Sequence, residues 1–252
     1  MARTIFITGA SSGFGKACAE KFAAAGDRLI LLARRKDRLQ RLAEELKNDH
    51  QTESLILAAD VRDQTAVTEQ IEQLPAAWSR IDVLINNAGL ALGRDFFEEA
   101  NLSDWNTMID TNVKGLLYVA QAVAKKMSAQ KHGHILNIGS IAGKEVYEKG
   151  NVYCATKFAV DAISKAMRID LLRHGIKVTA IHPGAAETEF SLVRFKGDAD
   201  TANQVYNGFK PLTGEDIAAV AFYCAGLPAH VCINDLTLTC TQQGSSIHIQ
   251  RD

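Results

Sequence analysis

The sequence predicts an α/β fold: a single doubly wound Rossmann-type domain over 1–252, its seven-stranded parallel sheet covered by helices on both faces. Three observations carry that prediction. Short apolar runs recur along the 252 residues as "TIFIT", "RLILLA", "SLILAA", "IDVLIN", "HILNIG", "KVTAIH" and "DLTLT". Amphipathic helical stretches separate them, the alternation expected of β-α-β units with right-handed crossovers. The first six runs are almost continuously apolar, as strands covered on both faces must be.

Taken in order, "TIFIT" leads into "TGASSGFG" and a helix over about 14–25. Gly9, Gly13 and Gly15 let the backbone of this turn approach a pyrophosphate, while the helix N-terminus offers free N–H groups and partial positive charge. Ser11, Ser12 and Phe14 share the loop and count among the candidate cofactor contacts. A glycine-rich turn alone is weak evidence, but its place directly after the first strand strengthens it. The second run ends "LLARR", putting Arg34 and Arg35 where a ribose-binding carboxylate stands in an NAD-preferring site. Guanidinium groups instead fork onto phosphate oxygens, so the pair favours NADP, although two arginines can also simply open a basic surface helix. In that helix, "KDRLQRLAEELKND", Leu39, Leu42 and Leu46 form one stripe among solvated charges.

Asp60 closes the third run; it is either an acceptor for an adenine amino group or an ordinary acidic strand cap. "NNAG" closes the fourth, where the small residues beside Asn87, namely Ala88 and Gly89, would let a nucleotide lie across the strand ends. Only the segment over about 184–212 breaks the alternation, between the sixth strand and the next helix, and a long insertion there is expected to cover a substrate.

Composition narrows the partners. Lys+Arg at 28 against Asp+Glu at 29 leaves no charge excess to attract nucleic acid or an anionic membrane. No apolar run approaches the roughly 18 residues that read as a membrane span. The start "MARTIFITGA" enters a strand pattern at once, so no signal peptide and a cytoplasmic location are expected. Cys18, Cys154, Cys224, Cys232 and Cys240 form no C-x-x-C pair and read as small hydrophobes rather than disulfides or zinc ligands. His132 and His134 flank a glycine in an expected turn, and no metal site is expected.

The chemistry rests on "NVYCATKFAV", where Tyr153 and Lys157 stand four apart and share a helix face. The spacing recurs at Tyr206 and Lys210, but that pair encloses the turn-prone "NGF" and precedes Pro211, which places it on the surface of the insertion. A tyrosine of pKa about 10 must shift to act as a base near neutrality. An ammonium about 4 Å away at an effective dielectric of 20 supplies roughly 4 kcal/mol, so one well-placed lysine suffices. Ser140, ending the fifth strand, is placed to hydrogen-bond a substrate oxygen while Tyr153 moves its proton.

"TGASSGFG", "NNAG", Asn112 in "DTNVKG", Ser140 after "HILNIG", "YCATK" and "HPG" occur in the order found in the short-chain dehydrogenase/reductases, and the chain resembles that family over nearly its whole length. The resemblance implies an NADP-dependent enzyme with a tetrad of Asn112, Ser140, Tyr153 and Lys157, in which Asn112 positions a water. From the residues alone, Asn112 would be a helix-kink or capping asparagine. The cofactor contacts implied extend to Val61, Tyr153, Lys157, Pro183, Gly184 and Thr188, and the assembly implied is a homotetramer. Within the family, "GLALG", "DWNTMIDTN", "TEFSLVRFKGD" and "LPAHVCIN" are similar to segments of the NADP-dependent 3-hydroxy acid dehydrogenases, a group that includes serine and allo-threonine dehydrogenases.

Such a small hydroxy-acid substrate carries a carboxylate, and Arg194 in the insertion is the candidate clamp, joining Ser140 and Tyr153 as substrate residues. Ala185 and Ala186 depart from the bulkier residues expected of that group. The competing readings are a general NADPH-dependent carbonyl or 3-oxoacyl reductase and a non-catalytic NADPH-binding protein.

Overall fold

A computed structural model describes residues 2–252. The strands are β1 Thr4–Thr8, β2 Arg28–Ala33, β3 Ser54–Ala58, β4 Val83–Asn86, β5 Gly133–Ile138, β6 Ile176–Pro183 and β7 Asp235–Leu238. They form one sheet in the order β3-β2-β1-β4-β5-β6-β7, every neighbouring pair parallel. The helices are α1 Gly13–Ala23, α2 Lys36–His50, α3 Gln64–Glu72, α4 Leu102–Ile109, α5 Leu116–Gln130, α6 Asn151–Asp170, α7 Glu189–Arg194, α8 Ala199–Gln204 and α9 Gly214–Gly226. This is the doubly wound α/β domain expected. The first helix starts one residue earlier than the sequence suggested and ends two sooner, where Ala24 leads into Gly26 at φ +81.

The alternation of side chains along each strand separates two cores. Ile5, Ile7, Leu29, Leu31, Val83 and Ile85 point to one face, against Cys18 and Phe22 of α1, Leu39 of α2, and Ile217 and Ala221 of α9. Phe6, Ile30, Leu32 and Leu84 point to the other, against Val67 and Ile71 of α3 and Val119, Val123 and Met127 of α5. Each such fully buried side chain contributes about 1.5–3 kcal/mol. The strand β7 lies at the sheet edge, so its residues are half-buried or exposed and its run is more polar. Cys18, Cys154, Cys224 and Cys240 are buried, and burial pushes the Cys18 thiol up to about 12.

Two expectations are corrected. His134 lies inside β5 rather than in a turn; its Nε2 meets the Thr179 hydroxyl at 2.7 Å, and burial lowers its pKa to about 3. The insertion is also not the only long irregular stretch. Residues 87–101 run from β4 to α4, and residues 239–252 fold back with a bridge between Gln243 and Ile249. The insertion itself contains α7 and α8, and the Thr213–Asp216 capping box of α9 ends it.

The strand order reverses at β1, which lies between β2 and β4. The loops leaving β1, β2 and β4 therefore gather at the carboxyl ends of the strands, the place where such sheets bind ligands.

Candidate active site

A cleft of about 690 Å³ opens over these strand ends. Gly9 at φ +65 and Gly13 at φ +51 hold backbone conformations that side chains disfavour. A Cβ on Gly15 would stand 2.3 Å from the Gly9 carbonyl oxygen, so α1 presses directly onto the loop. Asn87, a sequence candidate for cofactor contact, lines the cleft, yet its amide donates to the Thr8 and Gly9 carbonyls at 3.0 and 3.4 Å. The Thr8 hydroxyl accepts from Asn87 and Ala88 N–H groups at 2.9 Å, which fastens the end of β4 to that of β1.

The cleft wall carries Gly9, Ser11, Ser12, Gly13, Phe14, Arg34, Arg35, Asp60, Val61, Ala88 and Gly89, and continues to Pro183, Gly184 and Thr188. Arg35 donates to the Ser11 and Ser12 hydroxyls at 3.2 and 2.9 Å, so its guanidinium faces the glycine loop. Arg34 is exposed beside it. The cradle, closed to a Cβ at Gly9 and Gly15, and the two guanidinium groups at its rim fit a dinucleotide that carries an extra phosphate on its ribose. Asp60 is paired with Arg62 at 2.6 Å; burial alone would raise its pKa, but the Arg62 hydrogen bonds and charge hold it below the ordinary carboxylate range. Arg62, two residues on, is a partner the sequence reading did not assign.

At the other end of the cleft, Ser140 follows β5 and caps the 3-10 turn Ile141–Gly143, its Oγ accepting from Ala142 N–H at 3.1 Å. That leaves the hydroxyl hydrogen free to donate. Tyr153 and Lys157 lie on α6, both buried and both on the cleft wall. Burial raises the Tyr153 pKa, with the Ser140 hydrogen bond and the Arg194 charge acting to lower it. Burial also lowers Lys157, to about 8.

Lys157 and Tyr153 face each other across one turn of α6. Lys157 Nζ is 5.9 Å from the Tyr153 ring centre and donates to the Ile138 carbonyl at 3.1 Å, at the buried end of β5. Burial is the largest influence on the phenol and raises its pKa.

Asn112 lies in a π-helical segment, Asp110–Gly115, between α4 and α5. Such insertions in a helix cluster at functional sites. Its side chain accepts from Leu90 N–H and donates to the Leu90 carbonyl, each at 2.8 Å, and donates to the Thr156 hydroxyl at 3.1 Å. It stands behind Gly89, where a Cβ would come 3.2 Å from Asn112 Oδ1 and 3.7 Å from Lys157 Nζ. The structure thus brings Asn112, Ser140, Tyr153 and Lys157 together around one end of the cleft, with Asn112 behind its wall.

Arg194, the last residue of α7, reaches this end: its guanidinium carbon lies 5.6 Å from the Tyr153 ring centre, and it donates to the Tyr147 hydroxyl at 3.1 Å and the Gly93 carbonyl at 3.3 Å. Lys196 turns away to Asp104 at 2.7 Å. Tyr206 is not a surface residue. It is half-buried on the cleft wall, its hydroxyl paired with Ser191 at 2.7 Å and donating to the Ala186 carbonyl at 2.8 Å, whereas Lys210 is exposed.

Tyr147, Phe190 and Gln243 were missed from sequence. Tyr147 backs Arg194, Phe190 packs 5.7 Å from Tyr153, and Gln243 accepts from Ala185 N–H at 2.7 Å from the carboxyl-terminal segment. No spacing announces them, because Phe190 of α7 and the loop residues Tyr147 and Gln243 come together only in the fold.

A dinucleotide cradle at the switch of a parallel sheet, ending at a half-buried serine and a buried tyrosine and lysine, defines an oxidoreductase of the nicotinamide class. The family model described as "short chain dehydrogenase" matches residues 3–198, and the chain belongs to the short-chain dehydrogenase/reductase family. It is 44% identical to the "NADP-dependent 3-hydroxy acid dehydrogenase YdfG" of Escherichia coli strain K12, over 98% of this chain and 99% of the relative. It is 45% identical to "Sulfoacetaldehyde reductase 2" of Chromohalobacter salexigens, over 100% of both. Among solved structures, the closed form of a serine dehydrogenase complexed with NADP+ superimposes with a TM-score of 0.92 at 43% identity, over 99% of this chain and 100% of that one.

Proposed function

We propose that this chain catalyses the reversible oxidation, by NADP, of the 3-hydroxyl of a small 3-hydroxy acid such as serine, allo-threonine or 3-hydroxypropionate. The cofactor is NADP, which its relatives use, and it supplies the hydride acceptor that no side chain can. The observation that carries the substrate class is Arg194, a guanidinium held 5.6 Å from the Tyr153 ring and therefore aimed at the reacting end. A carboxylate β to the reacting carbon is the group such a fork would take.

The roles follow from the surroundings. Burial keeps the Tyr153 phenol protonated, the form that gives its proton to a carbonyl oxygen in the reducing direction. The Ser140 hydroxyl donates to the same oxygen. Lys157 holds positive charge under the phenol, and Asn112 fixes the Leu90 strand of backbone next to Gly89. The α7–α8 insertion covers the substrate.

The same fork takes a sulfonate, and the sulfoacetaldehyde reductases among the relatives favour that second reading. The test is a panel read by absorbance of the reduced nicotinamide: serine, allo-threonine and 3-hydroxypropionate with NADP, and sulfoacetaldehyde and an acetoacetyl thioester with NADPH. Preference for the small acids is expected; equal turnover of the thioester would overturn the substrate class and favour a general carbonyl or 3-oxoacyl reductase.

A homotetramer and a cytoplasmic location complete the proposal. The exposed Ile109, Leu117 and Phe158, on or beside the helices holding Asn112 and Tyr153, support the assembly. Among the described residues, no helix is long and apolar enough to cross a membrane.

A further inference from the structure

His182 on β6 has no exposed side-chain surface. Nδ1 lies 3.2 Å from the Ser140 carbonyl oxygen. A carbonyl only accepts, and Nδ1 is the ring nitrogen within hydrogen-bond geometry of an acceptor, so the ring hydrogen is assigned to Nδ1. Nε2 faces Asp161 Oδ1 on α6 at 3.6 Å and Asp235 Oδ2 on β7 at 3.4 Å, and it has no hydrogen-bond partner. Lys144 places its ammonium on those two carboxylates at 2.8 and 2.5 Å, and Lys165 adds a second ammonium to Asp161 at 2.7 Å. The acidic pair is therefore neutralised internally, where a bound cation would otherwise be sought. Burial first, and then the Lys144 charge, lower the His182 pKa. The ring keeps its Nδ1 hydrogen whether neutral or charged.

This arrangement grips the Ser140 segment at both ends. The Ser140 carbonyl is held by His182 and by Gly143 N–H at 2.8 Å. A Cβ on Gly139 would lie 2.5 Å from His182 Nδ1, so the ring seats directly on the backbone before the serine. Four residues after Ser140, the Lys144 side chain ties the far end of the turn to Asp161, which is one helical turn beyond Lys157 on α6. One cluster thus joins the backbone of Ser140 to the helix that carries Tyr153 and Lys157.

We propose that His182 is a positioning residue: its Nδ1–H holds the Ser140 carbonyl from β6 and so fixes the Ser140 hydroxyl relative to Tyr153. The inference rests on the roles given to Ser140 and Tyr153 above. A displacement of the reacting groups by about 1 Å can cost about 100-fold in rate, so the grip acts on turnover rather than on binding.

Three substitutions separate this role from a purely structural one. Asparagine puts its amide nitrogen where Nδ1 stands, glutamine puts its own where Nε2 stands, and leucine has neither. With the best substrate of the panel, His182→Gln and His182→Leu are expected to lower kcat by about 10- to 100-fold, with KM and the NADPH dissociation constant unchanged. His182→Asn is expected to keep kcat close to that of the unaltered protein. If asparagine and glutamine lower kcat alike, or neither lowers it, the inference is overturned. Should these variants fail to fold, Lys144→Met decides: a severalfold fall in kcat with KM and NADPH affinity unchanged supports the grip, and an unchanged kcat overturns it. Ser140→Ala is measured in parallel. If it is fully active, the role of Ser140 falls and this inference with it; if it is inactive while the His182 pattern fails, only this inference falls.

Discussion

Arg35 and Glu189 pair at 3.2 Å across the mouth of the cofactor cleft, joining the N-cap of α2 to the first residue of α7. Arg38 reaches the same carboxylate at 2.7 Å. The helix that carries Arg194 to the reacting end is therefore tied, at its other end, to an arginine at the phosphate rim.

Replacing Arg34 and Arg35 by glutamine should weaken NADPH far more than NADH. Hydrogen bonds to a charged group contribute about 1.5–3 kcal/mol each, which is a loss of about 10- to 100-fold per arginine. Fluorescence titration of the two reduced cofactors checks it, and equal losses would count against the arginines as phosphate readers.

Glu189→Gln should tighten NADPH by about 2- to 5-fold, because an exposed pair of this kind is worth at most about 1 kcal/mol and the carboxylate competes with a phosphate for Arg35. NADH affinity should not move. The effect should shrink in high salt.

Tyr153→Phe should lower turnover by about 10²- to 10⁴-fold, the range of a lost proton-transfer group. NADPH binding should survive, since the ring and its contact with Phe190 remain. A variant with near-normal turnover would remove Tyr153 from the chemistry.

Lys157 carries a pH signature. Its pKa falls from 10.5 to about 8 on burial, so between these values the unfolded chain holds a proton that the folded chain has released. Stability should therefore rise with pH across that window, by up to roughly 3 kcal/mol, and be lost again as pH falls through 8. Denaturant titrations of the unaltered chain and of Lys157→Met check it: the methionine variant should lack the rise.

Arg194→Ala should raise KM for 3-hydroxypropionate by about 10-fold or more, the loss of one charge-assisted contact. A neutral secondary alcohol should be unaffected. An unchanged KM for the acid would exclude the clamp.

Much of this site was legible along the chain because short-range pattern encodes it. Gly9, Gly13 and Gly15 announce a backbone turn, Tyr153 and Lys157 announce a helix face, and Arg34 and Arg35 announce a phosphate rim. Tyr147, Phe190 and Gln243 were silent, since each acts through a neighbour far away in sequence. Tyr206 misled because the turn-prone residues after it said nothing of the Ser191 and Ala186 atoms that draw its hydroxyl inward.

By itself the sequence determined the parallel sheet and pointed to the residues that gather at its strand ends. These follow from periodicity and from backbone and side-chain chemistry that act over a few residues. Only the tertiary structure decided how those groups are charged and held. Burial sets the Tyr153 phenol and the Lys157 ammonium against their ordinary ionisation, the Ile138 carbonyl claims the lysine, and His182 meets Ser140 across 42 positions. Solvent exclusion and long-range contact are properties of the packed chain, so no local pattern can carry them.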